Sequence, residues 1–216
     1  MPRMGSEQGQ SYPKPFNPLS KESLGRSLTE AFLKSTTQSL PPSEKFPGAG
    51  VYALYYTGAL PLYNELVSRN LVSKHPAPIY VGKAVPPGSR KGGADFDSAT
   101  GFALHGRLRL HAESIRQVKD LEILDFQCRC LVVDDVWIPL AESLLIAKFR
   151  PLWNLVADGF GNNPQGKGRK DQKKSAWDVL HVGRKRAENL KPSAESKEEI
   201  EAEIKAFFQE IDSNGK

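Results

Sequence analysis

Two short segments rich in aromatic and β-branched residues, 50–57 and 78–83, constrain the fold of this chain most strongly. Such residues favour a pleated surface, so both segments predict β-strands. A third segment, 123–133, alternates apolar and polar side chains, which is typical of a strand with one covered face. We therefore expect a small sheet of three strands.

Alternation along the first strand divides its side chains between the two faces of the sheet. One face receives Tyr52, Leu54 and Tyr56. The other face receives Val51, Ala53 and Tyr55. Both faces of this strand are therefore apolar enough to be covered.

Apolar residues at helical spacing predict helices around this sheet. The predicted helices cover residues 20–40, 60–72, 103–119, 139–149, 177–190 and 195–211. The pair Pro41-Pro42 is expected to end the first of them, and Pro139 suits the first turn of the fourth. The order of elements predicts an α/β or α+β fold in which a three-stranded, mainly antiparallel sheet is flanked by helices. We divide the chain into an amino-terminal arm and helix (1–46), a core with an inserted helix and loop (47–156), and a basic loop with carboxy-terminal helices (157–216).

Charge is distributed unevenly along the 216 residues, whose net charge is +5. Residues 165–186 are strongly basic, whereas residues 195–212 are acidic. A basic tract favours a polyanionic partner, although an ordinary solvated loop explains this tract equally well when it is taken alone.

The sequence also bounds the compartment in which we expect the protein. It contains no apolar run of the roughly 20 residues that a membrane span needs, and residues 1–16 have no apolar signal core. Cys128 and Cys130 are two apart on the third predicted strand, and we interpret them as small core residues with free thiols. These features predict a soluble protein of the cytoplasm with no membrane partner.

Glu142 is the most informative charged residue, because it shares a helix face with Leu145, Ile146 and Phe149. A carboxylate on an apolar face is costly unless it is paired or bound to a cation. A divalent ion with oxygen ligands would remove that cost. An ion pair with an arginine, or a place at the edge of the apolar stripe, would remove it as well.

Arg107 and His111 lie four residues apart on one predicted helix, so their side chains point the same way. A guanidinium can hold a phosphate with two hydrogen bonds, and a neighbouring imidazole can orient or carry protons near neutral pH. The alternative for such a pair is an ordinary solvated helix face.

Two tyrosines, a lysine and an asparagine complete the candidate residues. Tyr52 and Tyr80 are, by default, half-buried strand tyrosines, and a phenol is a poor base at neutral pH unless a metal, lysine or arginine stabilises the phenolate. Lys83 follows Tyr80 by three residues and could supply that charge. Asn154 follows a proline break, where capping or turn formation is its ordinary role.

In this order, the residues resemble the motifs of the GIY-YIG nuclease superfamily over about residues 50–155. Gly50-Val51-Tyr52 and Tyr80-Val81-Gly82 match the two signature tripeptides, with valine in place of isoleucine in each. The family's helical arginine with its partner four residues later, its metal-binding glutamate and its later asparagine fall on Arg107, His111, Glu142 and Asn154.

The chain departs from the family pattern between the two tripeptides, which a short hairpin-like loop usually separates. Here residues 53–79 include a predicted helix, and the loop between residues 86 and 101 is long. Such insertions resemble those of the type II restriction endonucleases of this superfamily that cut the palindrome CCGCGG.

The resemblance implies metal-dependent hydrolysis of phosphodiester bonds in double-stranded DNA. Glu142 would bind one Mg²⁺, with Mn²⁺ as a substitute, and Arg107 would stabilise the charge of the transition state. Tyr52 would help to deprotonate the attacking water, and Asn154 would position nearby groups. The resemblance implies that Tyr52 would be tuned or oriented by Tyr80, His111 or Lys83.

A palindromic site has two-fold symmetry, so the resemblance also implies a homodimer on DNA. Its contact could come from the amino-terminal arm and helix or from the inserted helix at residues 60–72. Two loops could contact the DNA, since arginine suits guanine, asparagine and glutamine suit adenine, and lysine often binds phosphate. The loop residues are Arg90, Lys91, Asn162, Asn163, Gln165, Lys167, Arg169 and Lys170. The competing interpretations are a nicking or repair nuclease of the same superfamily and a non-catalytic nucleic-acid-binding module.

Overall fold

A four-stranded antiparallel sheet lies at the centre of the structure. The computed structural model describes residue 17 and residues 19–72, 77–86, 101–162 and 172–214. The strands are β1 (Gln38–Ser39), β2 (Gly50–Tyr56), β3 (Tyr80–Ala84) and β4 (Phe126–Val132), in the spatial order β1-β4-β2-β3. The three predicted strands are confirmed as β2, β3 and β4, and the antiparallel pairing is confirmed as well. The expected count of three is wrong, because the two-residue β1 adds a fourth strand that carries no alternating pattern.

Helices cover both faces of this sheet. In the part of the chain that the structure describes they are α1 (Lys21–Lys34), α2 (Asn64–Val72), α3 (Ala103–Arg116), α4 (Ile138–Phe149), α5 (Leu152–Leu155), α6 (Ala176–Leu180) and α7 (Lys197–Asn214). None of the helices in the described ranges is long and apolar enough to cross a membrane. The predicted α+β class is confirmed, whereas the division into three segments at residues 46 and 156 stays a prediction.

The side chains that alternate along β2 pack into two separate apolar clusters, as predicted. The larger cluster holds Tyr52, Leu54 and Tyr56, together with side chains from α3, α5, α6 and α7. The smaller cluster holds Val51, Ala53 and Tyr55, and α1 and α4 complete it. The sheet is therefore a middle layer, and the side of β2 that carries Tyr52 faces the larger part of the core.

The first helix is shorter than the predicted one, which extends to residue 40. It ends at Lys34, and Ser35 after it is already extended. The chain then enters β1, where the Leu40 amide donates to the Phe126 carbonyl oxygen at 3.3 Å. Pairing with β4 thus ends the helix before the prolines are reached.

The helix predicted over residues 177–190 is wrong beyond its first turns. Only α6 is helical there, and a 3₁₀ turn at Lys185–Ala187 follows after a bend. Gly183 has φ +134°, and a β-carbon at this position would lie 2.3 Å from the Gln117 carbonyl oxygen. Since no helix passes through a residue in that conformation, the chain turns towards α3 instead.

The strand predicted over residues 123–133 begins late and is covered on both sides. A 3₁₀ turn occupies Ile123–Asp125, so Leu124 is 91% exposed instead of lying on a covered face. Arg129, on the predicted polar face, is buried, and its Nη1 donates to the Leu33 carbonyl oxygen at 2.9 Å. The remaining predicted elements are confirmed with small differences at their ends.

Gly50 opens β2 and the first tripeptide at a point where a side chain has no room. Its φ is +153°, and an added β-carbon would lie 2.1 Å from the Leu131 carbonyl oxygen of β4. Glycine therefore allows the two strands to approach each other here. Gly25 in α1 is different, because its added β-carbon would meet only Leu144 Cδ2, at an ordinary 3.5 Å.

We predict that Gly50→Ala lowers the free energy of unfolding by about 2–3 kcal/mol, because the backbone of β2 must move away from β4. Gly25→Ala is the matched control and should raise the free energy of unfolding by about 0.5–1 kcal/mol, since alanine favours a helix interior. Urea denaturation of the two variants measures both changes. Equal stability of Gly50→Ala and the unaltered protein would contradict the close approach.

Candidate active site

A buried tyrosine–histidine pair joins the sheet to α3. The Tyr52 hydroxyl on β2 lies 2.5 Å from His111 Nε2, and the two residues are 0% and 2% exposed. Buried polar groups need a partner, and here each group supplies it for the other. The first tripeptide and the helical histidine, 59 positions apart in the chain, are thus brought into direct contact.

Burial sets the charge of both partners. It raises the pKa of Tyr52 well above its ordinary value, against a smaller opposing effect of the Arg107 guanidinium. Burial also lowers the pKa of His111 well below its usual value, and the positive charges of Arg107, Arg184 and Arg186 lower it further. At neutral pH the phenol is protonated and the imidazole is uncharged.

The second tripeptide shapes the space around the Tyr52 hydroxyl. Gly82 pairs with Tyr52 across β2 and β3, and a β-carbon on it would lie 2.5 Å from that hydroxyl oxygen. The Tyr80 ring centroid lies 6.2 Å from that of Tyr52 and 5.4 Å from that of His111. Burial raises the pKa of Tyr80, whereas the Arg107 charge and a hydrogen bond with Tyr52 lower it. The glycine therefore makes room for a row of three polar groups, Tyr80, Tyr52 and His111.

An open cleft of about 660 Å³ lies at the Tyr80 end of this row. Tyr80, Lys83, Arg107 and Glu142 all line it, although they come from β3, α3 and α4. Tyr52 is not part of its wall and lies behind Tyr80. The structure thus gathers the predicted tyrosine, lysine, arginine and glutamate around one space that a substrate could enter.

Lys83 and Glu142 form an ion pair at the edge of this cleft. Lys83 Nζ lies 2.6 Å from Glu142 Oε2. The ammonium group of Lys83 thus contacts a carboxylate directly, and the charge that Lys83 could supply to a phenolate stays a prediction. Glu142 is partly exposed at the edge of the apolar face of α4, one of the two alternatives to a metal, and the other alternative, an ion pair, is made with a lysine instead of the expected arginine.

The donor set around Glu142 fits a magnesium ion better than a transition metal. Across the described ranges, no group of three or more His, Cys, Asp or Glu side chains could hold a metal. Mg²⁺ is usually bound through one or two carboxylates, with substrate phosphates and water as its other ligands. Glu142 offers one carboxylate on the wall of an open cleft, where it already has a cationic partner.

Asn154 lies outside the cleft and holds β3 in place. Its side-chain oxygen accepts from the Val81 amide and its side-chain nitrogen donates to the Val81 carbonyl oxygen, each at 2.8 Å. β3 is an edge strand, so the amide of Asn154 substitutes for a neighbouring strand at the residue between Tyr80 and Gly82.

A turn at residues 159–162 also contacts the site, although no sequence pattern indicates that contact. Arg107 Nη2 donates a short hydrogen bond to the Gly161 carbonyl oxygen, and the Phe160 ring stacks on the His111 ring. Arg184 holds this turn through the Phe160 and Gly159 carbonyl oxygens, and Asp178 pairs with Arg184 at 2.6 Å. These contacts join residues distant in sequence, and neither spacing nor composition signals them.

Most of the predicted DNA-contacting residues lie outside the described residues. They are Arg90, Lys91, Asn163, Gln165, Lys167, Arg169 and Lys170. Asn162 is described and exposed, and it lines a second cleft of about 230 Å³ with Arg184, Lys185 and Arg186. His111 and Arg107 also line this smaller cleft, so a basic surface begins directly beside the candidate site.

Most of the chain matches the model of a known protein family. The family model described as "Eco29kI GIY-YIG domain" matches residues 44–208, about three quarters of the chain. The match includes both tripeptides and the other candidate catalytic residues, and it continues through α6 into α7. No curated protein matches the chain.

We predict that the free energy of unfolding falls as the pH drops through about 6.5. Below that pH the unfolded chain binds a proton at His111, whereas the folded chain does not, because burial lowers the pKa of this histidine. The loss approaches about 1.4 kcal/mol per pH unit until the lowered pKa of folded His111 is reached. His111→Gln removes this contribution. Urea unfolding of both proteins between pH 5 and 7.5 gives the two slopes, and parallel curves would contradict the prediction.

Proposed function

The chain belongs to the Eco29kI GIY-YIG domain family of restriction endonucleases, and we propose that it is a type II enzyme that hydrolyses both strands of DNA at a specific palindrome. The sequence CCGCGG is the proposed site, on the strength of the family and the two insertions in the chain. The observation that carries the proposal is the cleft on which Tyr80, Arg107 and Glu142 converge, with the Tyr52–His111 pair directly behind it.

Arg107 is the proposed phosphate-binding residue. It lines the cleft, and its hydrogen bond to the Gly161 carbonyl oxygen restrains the guanidinium before substrate arrives. A restrained guanidinium stabilises the charge that develops on the phosphate in the transition state and costs little reorganisation.

Tyr80, Tyr52 and His111 are the proposed proton acceptors for the attacking water. The Tyr80 hydroxyl, which lines the cleft, would take the water proton and pass its own proton to the Tyr52 oxygen, while the hydroxyl proton of Tyr52 passes to His111 Nε2, 2.5 Å away. The hydroxide formed attacks phosphorus, and the bond to the 3′ oxygen breaks, so 5′-phosphate and 3′-hydroxyl ends result. Burial and three arginines disfavour the imidazolium, and negative charge gained at the phosphate beside Arg107 offsets that cost.

Glu142 is the residue that would hold Mg²⁺, or Mn²⁺ in its place. The bound ion supplies positive charge at the scissile phosphate and its leaving oxygen. Lys83 would keep the carboxylate at the cleft through their ion pair when no ion is bound.

Symmetric cutting of a palindrome requires two copies of the chain, so we propose a homodimer on DNA. Support for a contact through α1 comes from an apolar groove of about 530 Å³ between α1, the end of β4 and the start of α4. Trp137 lines this groove and is 49% exposed. The basic loops that carry Asn162 and the other proposed DNA-contacting residues would read the site.

We predict that the protein with Mg²⁺ converts a plasmid bearing one CCGCGG site into the linear form, and that a chelator stops the reaction. Glu142→Gln and Arg107→Ala should each lower the rate by at least about 100-fold, because each removes charge stabilisation of the transition state. Arg109→Ala is the matched control, since Arg109 is exposed on α3 and does not line the cleft. Rates come from gel assays at saturating enzyme.

Other results of the cleavage assay would contradict different parts of the proposal. Near-normal turnover of Glu142→Gln or Arg107→Ala removes the proposed site. Single nicks favour the nicking or repair enzyme, and metal-independent binding without cleavage favours the binding module. Discrete fragments from another palindrome overturn only the CCGCGG assignment.

We predict that Trp137→Glu weakens self-association at least tenfold, because a carboxylate enters the apolar groove of α1 and α4. Leu124→Glu is the control, since Leu124 is more exposed and lies outside the groove. Sedimentation velocity, with and without a DNA duplex, measures the association. A chain that is monomeric in both conditions refutes the dimer.

A further inference from the structure

The turn at residues 159–162 contacts three of the proposed catalytic residues at once. The Phe160 ring lies 4.5 Å from the His111 ring at an interplanar angle of 19°, and 5.1 Å from the Tyr80 ring. The next residue, Gly161, accepts the hydrogen bond from Arg107. A β-carbon on Gly161 would overlap the Tyr80 hydroxyl, so the turn fits closely against the site.

The turn is itself fixed by a buried ion pair. Arg184 Nη1 donates to the Phe160 carbonyl oxygen at 2.9 Å, and its Nη2 donates to that of Gly159 at 3.2 Å. Asp178 accepts from Arg184 Nε at 2.7 Å and from the Ser175 hydroxyl at 2.7 Å. Every one of these charges is buried and hydrogen-bonded, so the backbone of the turn has little freedom to move.

A buried ion pair of this kind is not explained by stability alone. Apolar side chains of similar size often stabilise a fold as well as a buried pair does, because desolvation of the two charges is costly. In this chain the pair positions a turn whose only aromatic ring lies flat on the imidazole that Tyr52 contacts. Arg184 thus acts on the site through Phe160.

We propose that Phe160 is a positioning residue for the reaction: its ring fixes the plane of the His111 imidazole against Tyr52, and its turn fixes the Arg107 guanidinium through the Gly161 carbonyl oxygen. The inference rests on the proposed nuclease function and deepens it. It also explains why the family match continues beyond Asn154, since the groups that hold the turn lie between residues 175 and 186.

The test compares Phe160→Leu with Phe126→Leu. Both phenylalanines are buried in the same cluster and both pack on Trp153, but Phe126 makes no ring contact with His111. The two variants should lose similar thermal stability. Phe160→Leu alone should lower the single-turnover cleavage rate at least tenfold, with the Kd for DNA within twofold of the unaltered protein. Equal rates for the two variants overturn the proposal.

An NMR titration of the His111 ring supplies a readout that needs no cleavage. The groups facing this imidazole are Tyr52, Tyr80, Arg107, Arg184 and Arg186, and all of them remain in both variants. Removal of the Phe160 ring admits water, so the His111 pKa should rise towards about 6.5 in Phe160→Leu and stay low in Phe126→Leu. An unchanged His111 pKa in Phe160→Leu overturns the proposal. If the unaltered protein does not cut DNA, the proposed function fails, while the titration still decides whether Phe160 positions His111.

Discussion

The hydrogen bond between the Tyr52 hydroxyl and the His111 imidazole is the contact around which the core is arranged. Both groups are almost fully buried, and an unpaired buried group would cost about 1–3 kcal/mol. This hydrogen bond therefore restrains both the distance of α3 from β2 and the rotation of α3 about its own axis. Gly82 leaves space for the hydroxyl on one side, and Phe160 covers the imidazole on the other. The small residue of the second tripeptide and the turn after α5 are both consequences of burying this pair.

Positive charge around the pair does two things at once. Arg107, Arg184 and Arg186 oppose protonation of His111, which keeps the imidazole uncharged. The same charges face clefts that are open to solvent, where a polyanion can approach. Asp178 neutralises part of the charge inside the fold, whereas Glu142 and Lys83 balance each other at the cleft. The clefts thus present positive charge to solvent, while the buried carboxylate of Asp178 is paired with Arg184.

Patterns in the sequence predicted the features that depend on neighbouring residues, and they did not predict the contacts between distant segments. The two-residue period of β2 predicted which side chains share a face, because a strand permits no other arrangement. Of the residues named from the family resemblance, Tyr80, Lys83, Arg107 and Glu142 line the cleft, whereas Tyr52, His111 and Asn154 do not. Lys83 bonds Glu142 because the side chains of β3 and α4 meet over the cleft, and no sequence spacing encodes that distance. The early end of α1 and the break at Gly183 have the same origin, since strand pairing and contact with α3 override helical spacing.

The carboxy-terminal segment is built into the core instead of being attached to it. Trp177 lies against Trp153 and Phe160, and Ile200 and Ile204 of α7 belong to the same cluster as Tyr52. A second tyrosine–histidine hydrogen bond is also buried: His181 Nε2 lies 2.6 Å from the Tyr63 hydroxyl, and His181 Nδ1 lies 2.9 Å from the more exposed Asp120. These contacts connect the inserted helix region, the end of α3 and α6. A segment that only carried basic residues to DNA would need none of them. Its packing therefore argues that residues 172–214 support the geometry of the cleft.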